Sequence, residues 1–227
     1  MVQTAFAQKQ QFETYSANDF LGEKEFLFAS QDQSLNIYFK SNKDILKFNG
    51  AEFSKVKLPV DHKEIEKFIV FKNRLFFSND SKTYSFDFKS DSLNVIWDQP
   101  AIQFQEFEEQ LWLLSKNNLI RLNEESNNIE VVFNNENIEE FYSFKIDQFN
   151  TIIGHSNGLS ILKKDKKPIQ IGTFLSNPSK IIAVDSNTYI LNKNAIFNFS
   201  NGEISRLINN EQPIQDFFVD DFGKTWT

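Results

Sequence analysis

Asp32-Gln33-Ser34-Leu35-Asn36-Ile37-Tyr38-Phe39-Lys40-Ser41, followed by Asp44-Ile45-Leu46-Lys47-Phe48-Asn49-Gly50, is the stretch that frames the whole chain. Tyr38 stands six residues after Asp32, Ser41 three residues later, and an apolar-x-x-aromatic step from Ile45 to Phe48 closes a hairpin. The same pattern returns. Glu106, Trp112, Ser115, Asn118-Leu119 and Leu122 keep its register without a gap. Asp147, Ile153, Ser156 and Gly158-Leu159 repeat it with one residue fewer in the turn. Looser copies centre on Phe76 and Tyr189 and close at Phe86 and Phe199, and Asp220, Gly223 and Trp226 open a sixth.

Aligned on one position, Tyr38, Phe76, Trp112, Ile153, Tyr189 and Trp226 are 38, 36, 41, 36 and 37 residues apart. A period of that size without helical patterning is that of a four-stranded propeller blade rather than a helical repeat. Each unit reads as short strands, such as Glu66 to Phe71, Leu75 to Ser78, Thr83 to Phe88 and Leu93 to Trp97, punctuated by Asn, Asp, Ser, Lys and Gly turns. Leu111-Trp112-Leu113-Leu114 and Thr151-Ile152-Ile153 are apolar on both faces. A strand sandwiched between two sheets needs no polar face, whereas a half-exposed one alternates. A β-sandwich would not repeat one motif five times in register. The expected fold is therefore all-β: a β-propeller of five four-stranded blades and the first strand of a sixth, an incomplete seven-bladed ring over residues 8–227. Gln8 to Tyr15 is expected to supply an outer strand that would close the ring.

The chain has 227 residues, net charge -7, 26 Phe, 7 Gly and no Cys. Phe, Asn, Lys and Ile together are what AT-rich codons encode, so the Phe excess reads as core filling rather than as an aromatic binding surface. Negative charge argues against nucleic acid, whose binding needs concentrated Lys and Arg. The cluster Lys163, Lys164, Lys166 and Lys167 reads as a solvated hairpin tip. No stretch is long enough for a membrane-spanning helix. Ala5-Phe6-Ala7 matches the small-x-small pattern of a signal-peptidase site without the charged and apolar regions that precede one. Residues 1–7 are thus either the end of a secretory signal or a disordered tail.

Chemistry-bearing patterns are sparse. His62 and His155 are the two histidines, in non-equivalent places and without ligand spacing. His155 reads as a turn residue that could line a propeller mouth. There is no Cys nucleophile, nucleophile elbow or phosphate loop. Glu106, Glu108, Glu109, Glu139 and Glu140 are carboxylates with no reason in the sequence to share a cleft, as divided acid–base roles require. In the pair Asp220-Asp221, Asp220 falls on the repeat's own Asp position, where accepting turn N–H bonds is its expected role. Trp112 and Trp226 fill the repeat's aromatic slot and are expected in the core; Trp97 is less constrained. No catalytic, metal, cofactor or ligand-binding residue is assigned, and the chain is expected not to be an enzyme.

From Phe12 to Phe53, with Tyr15-Ser16, Gln31-Asp32, Tyr38-Phe39, Ser41 and Phe48-Asn49-Gly50-Ala51-Glu52-Phe53, the chain resembles the opening of the two-component-regulator propeller family. Asp147, Gly158 and Leu159, and Asp220, Gly223 and Trp226, match the same motif. The family's turn glycine is replaced by Leu35, Glu109 and Asn150, and its threonine by Ser41, Ser115 and Ser156. The resemblance implies the periplasmic sensor region of Bacteroidetes hybrid two-component or sensor-kinase proteins, in which seven-bladed propellers precede a membrane helix and an output domain. It implies a ligand-sensing fragment for a small molecule or oligosaccharide, with output domains downstream and pairing of propellers as a route to a homodimer. The competing expectation is a secreted scaffold, adhesion or secretion-system propeller without signalling output. A propeller enzyme such as a polysaccharide lyase is disfavoured because no catalytic constellation is present.

Overall fold

The structure is a computed structural model that describes residues 26–123, 128–148, 150–163, 167–171, 175, 177–184, 187–200, 203–220 and 224–227. The expected signal remnant at 1–7 and closing strand at Gln8 to Tyr15 lie outside the described residues. Among the described residues the strands form five four-stranded sheets and a two-stranded one, each an antiparallel meander in chain order. Blade 1 is β1–β4 (Phe26–Gln31, Ile37–Ser41, Ile45–Phe48, Phe53–Lys55), and blade 2 is β5–β8 (Lys67–Phe71, Arg74–Ser78, Thr83–Asp87, Ser92–Trp97). Blade 3 is β9–β12 (Gln103–Phe107, Gln110–Leu114, Asn118–Asn123, Asn128–Asn134), and blade 4 is β13–β16 (Phe141–Ile146, Thr151–His155, Gly158–Leu162, Ile169–Ile171). Blade 5 is β17–β20 (Lys180–Val184, Asn187–Asn192, Ala195–Ser200, Glu203–Asn209). The sixth sheet has two strands rather than one, β21 (Phe218–Val219) and β22 (Thr225–Trp226). First strands touch first strands, β1 to β5, β5 to β9, β9 to β13, β13 to β17 and β17 to β21, so the blades radiate from a common inner wall. This is a β-propeller.

Its core lies between blades, as strands apolar on both faces demand. Leu111 and Leu113 pack with Phe71 and Phe76 of blade 2, while Trp112 and Leu114, from the same strand, pack with Phe141 and Phe144 of blade 4. Tyr38 and Ile45 pack with Val70, Leu75 and Phe77 of blade 2. Every aligned position falls on the second strand of its sheet, but Ile153 faces the wrong way. Tyr38, Phe76, Trp112 and Tyr189 face the following blade; Ile153 packs backward with Trp112, and it is Ile152 that packs forward with Ile181 and Ile190. The cause is the shorter turn. Ile146 pairs with Thr151 across four residues, where Gln31 pairs with Ile37 and Val219 with Thr225 across five. Counting six from Asp147 therefore overshoots by one, and a one-residue slip moves a side chain to the opposite face.

Two of the residues that replace the turn glycine, Leu35 (φ 64) and Glu109 (φ 57), occupy the left-handed region. Glu108 (φ 48) joins Glu109 in a two-residue turn between Phe107 and Gln110, and Lys72 (φ 44) with Asn73 (φ 62) does the same between Phe71 and Arg74. Both φ values positive is the backbone of a type I′ hairpin turn.

The outer edges are blunted in two ways. β4 and β16 are three residues long. The longer outer strands β8, β12 and β20 each carry a bulge, at Ile96, Val132 and Leu207. Short or bulged edges disfavour pairing with another chain.

Candidate functional site

An open cleft of about 420 Å³ lies between blades 2 and 3. Its floor is Phe76, from the aromatic slot, with Leu122 of β11 and Ile96 of β8. β7 and β8 set the polar wall by pairing Ser85 with Asn94 and Asp87 with Ser92. Asp87 is held on both oxygens: one accepts the Lys89 and Ser90 amides at 2.8 and 3.0 Å, the other faces Arg74 Nε at 3.3 Å. The Ser90 and Lys89 amides, with smaller help from Ser90 and Arg74 side chains, keep its carboxyl below the usual carboxylate value. Ser90 and Ser92 hydroxyls lie 2.8 Å apart.

An equivalent cleft of about 410 Å³ lies between blades 1 and 2. Tyr38 replaces Phe76 on its floor, Lys47 replaces Ser85, and Ser54 replaces Asn94. Tyr38 stacks on Phe88 at 5.7 Å, donates to Asp32 Oδ2 at 3.2 Å, and lies under Lys47 Nζ at 5.7 Å. Burial first, then the Asp32 charge, pushes the Tyr38 phenol up, so it stays protonated. Burial works to raise the Asp32 carboxyl too, but bonds from Asn36, Ser34 and Tyr38 together outweigh it and hold the group ionised.

That Asp–aromatic clasp is a repeat feature. Asp32 Oδ1 accepts the Ser34 and Asn36 amides, both at 2.9 Å. Asp220 Oδ1 accepts Lys224 N at 2.9 Å, and its other oxygen accepts Trp226 Nε1 at 3.1 Å, much as Asp32 accepts the Tyr38 hydroxyl. Asp220 thus has the turn role assigned to it; Asp221 lies outside the described residues. In blade 3 the clasp is missing because Glu106 is inside β9, paired with Leu111, and the Trp112 indole N–H is buried without a partner. Trp112 is core; Trp226 is not, being 44% exposed and stacked on Phe218 at 6.0 Å, because no further sheet covers its face among the described residues. Trp97 is half-buried against the Phe76 cluster.

The motif serines split. Ser41 Oγ accepts Asp44 N at 3.0 Å and Ser115 Oγ donates to Asn118 O at 3.4 Å, while Ser156 Oγ is buried without a partner. In blade 2 Asn79 takes the role, accepting Lys82 N at 2.8 Å and Ser81 N at 3.0 Å.

On the inner wall, Gln103 and Gln105 have a role that the sequence reading assigned to neither of them. Gln103 donates to Phe144 O at 2.9 Å and accepts Phe144 N at 2.9 Å. Gln105 does the same with Ile146, at 2.8 and 3.1 Å. Two side-chain amides thus stand in for a strand along the inner edge of β13. The register also shows that β9 and β13 run in the same direction. Glu108 and Glu109, after β9, therefore sit at the opposite end of the blades from Glu139 and Glu140, before β13, and these carboxylates form no joint site.

His155 is fully buried at the end of β14. Its Nδ1 accepts Asn157 N at 3.1 Å, and its Nε2 lies 3.0 Å from Ser160 Oγ, which also accepts Gln170 Nε2 at 2.8 Å. Burial pushes the imidazole down to about 4. With Nδ1 accepting, the ring proton sits on Nε2 and points at Ser160, so His155 cannot take a proton from that hydroxyl. The pair is structural in geometry and does not form a nucleophile–base dyad. Among the described residues no three His, Asp or Glu groups converge as a metal would need, and no helix is long and apolar enough to cross a membrane. Lys163 and Lys167 flank the β15–β16 connection; Lys164 and Lys166 lie outside the described residues.

No protein-family model matches the chain, and no curated protein does. Among solved structures, the extracellular domain of BT4673 from B. thetaiotaomicron is 16% identical with a TM-score of 0.69 over 91% of this chain and 31% of that one. A second structure of that domain gives 15%, 0.71, 95% and 32%. BT4673 is described as a hybrid two-component system in one case and a one-component system in the other. The extracellular domain of BT3049, also described as a hybrid two-component system of B. thetaiotaomicron, is 14% identical with a TM-score of 0.53 over 94% of this chain and 40% of that one. A nidogen/laminin complex matches at 10% identity and a TM-score of 0.55, over 82% and 80% of the two chains. The chain spans about a third of the length of the BT4673 domain. Its fold is the β-propeller of the extracellular domains of these B. thetaiotaomicron two-component systems, the kind of protein whose repeat its sequence resembles.

Proposed function

We propose that the chain is a non-catalytic, ligand-binding propeller from the extracytoplasmic sensor of a two-component regulator, working in the periplasm of a Gram-negative bacterium. The observation that carries this reading is the pair of equivalent clefts between successive blades. Each offers hydroxyls, carboxamides and a cation above an aromatic floor. Convergent polar groups over an apolar base suit a small polyhydroxylated ligand such as an oligosaccharide. Signal output would then come from further segments of the same protein, and pairing of propellers is a route to a homodimer. Binding to an oligosaccharide array, followed by titration calorimetry of whatever is retained, tests the reading. Asn94→Trp and Ser54→Trp place an indole at exposed, equivalent lining positions without touching the core. Retention by the native protein and loss in one of these variants is the expected result. No retention of any saccharide, or unchanged binding in both variants, refutes it.

A further inference from the structure

Between blades 1 and 2 the chain crosses over through residues 56–66, and one side chain ties that crossover to the sheet it has left. β4 ends at Lys55, paired with Leu46, and Val56 N still donates to Ile45 O at 2.9 Å. The Ile45 N–H on the same edge has no strand opposite it. It is taken instead by His62 Nδ1, at 3.1 Å, reaching back from a single 3-10 turn, His62–Glu64, that Asp61 caps through Lys63 N. The same Nδ1 lies 3.7 Å from Asp44 Oδ1. One ring nitrogen thus has two partners of opposite kind within reach: a donor that needs it bare, and a carboxylate that needs it protonated.

We propose that His62 is an acid-operated latch. Neutral, it accepts the Ile45 amide and fastens the crossover to β3; on taking a proton from solvent at Nδ1 it becomes a donor there, releases Ile45 and turns to Asp44. The crossover carries Val56, Leu58, Val60 and Ile65 into the apolar cluster shared with Tyr38, Ile45, Val70 and Leu75, so releasing it loosens the seam between the two blades. The charges around the ring are balanced. Asp44 and Asp61 favour the imidazolium, Lys40 and Lys55 oppose it, and Asp44 is shared with Lys55 Nζ at 2.5 Å. Burial tips that balance toward the neutral ring, placing its titration below the ordinary 6.5. The fastened state is therefore fully favoured above 6.5 and is lost as pH falls through the lowered folded value.

The test is an NMR titration of the full chain that follows the His62 ring protons and the Ile45 amide together. Ile45 exchange protection is corrected for the intrinsic pH dependence of exchange. Loss of Ile45 protection with the midpoint of His62 is expected. In His62→Gln the side-chain oxygen still accepts the amide but cannot titrate, so protection should stay flat with pH. Asp44→Asn removes the partner of the protonated state and should move the midpoint to lower pH with Ile45 undisturbed at neutral pH. Ile45 protection that persists while His62 titrates, a pH-dependent loss that survives in His62→Gln, or a midpoint unmoved by Asp44→Asn would each overturn the latch. The Asp44 variant decides if His62→Gln does not fold.

Discussion

Replacing Gln103 or Gln105 by Ala should open the inner wall between blades 3 and 4 while leaving every backbone ladder intact. Each glutamine makes two bonds to one residue of β13, donor to acceptor and acceptor to donor. A neutral hydrogen bond contributes about 0.5–1.5 kcal/mol net, so each truncation should cost about 1–3 kcal/mol. The two sit side by side on one edge, so the double variant need not be additive. The loss should be local, because blades contact chiefly their neighbours. Amide exchange is therefore the assay. Phe144 N should lose protection in Gln103→Ala, and Ile146 N in Gln105→Ala, each by roughly 5–150-fold for that energy range. Gln103→Glu is more selective: a carboxylate still accepts Phe144 N but sets negative charge against Phe144 O. It should fall between native and Ala at the amide. Exposed Gln148 is the control position. If Phe144 and Ile146 exchange as in the native protein after truncation, the side-chain clasp is not what seals this edge.

Three further outcomes follow from local geometry. A Cβ on Gly154 would lie 2.2 Å from Pro178 Cγ, so Gly154→Ala should lower the urea midpoint by the equivalent of about 1–3 kcal/mol through overpacking at the seam of blades 4 and 5. Glu108→Asn with Glu109→Gly gives the exposed type I′ turn its preferred residues and should raise that midpoint by the equivalent of about 1 kcal/mol, relief of strain outweighing the glycine's unfolded-state entropy. His155 takes up a proton near 6.5 when unfolded but only at about 4 when folded. The stability tied to it is present above 6.5 and lost as pH falls toward 4, amounting to about 3 kcal/mol, and a pH series of denaturation curves should show this slope disappear in His155→Gln.

What the sequence made legible was whatever is written in local pattern. Strands Lys67–Phe71, Arg74–Ser78, Thr83–Asp87 and Ser92–Trp97 lie within a residue of where turn residues and apolar runs put them. Leu111 to Leu114 face two different blades, as their unbroken apolarity implied. Facing direction was less legible: a turn one residue shorter put Ile153 in a slot that Ile152 fills, since counting from Asp147 cannot see where pairing resumes. Trp226 reads as core by position in the motif, yet burial of that position comes from the next sheet and not from its own. The clefts and the glutamine clasp were beyond reach for a similar reason. Ser85, Asn94 and Leu122 meet only when two blades stack, and Gln103 and Gln105 touch residues 41 positions away. The alternating pair of glutamines on a first strand was the one available signal.

The measurement that bears most directly on the proposed sensor role is a hydrogen-exchange footprint of the protein with and without a saccharide it retains. Protection should appear in β6 to β8 and in β11 to β12, around the blade 2–3 cleft, or in β2 to β4 with β7, around the blade 1–2 cleft, and vanish in the matching Trp variant. Protection confined to other blades, or a bound saccharide that protects neither cleft, would contradict the assignment of these clefts as the place where ligand is read.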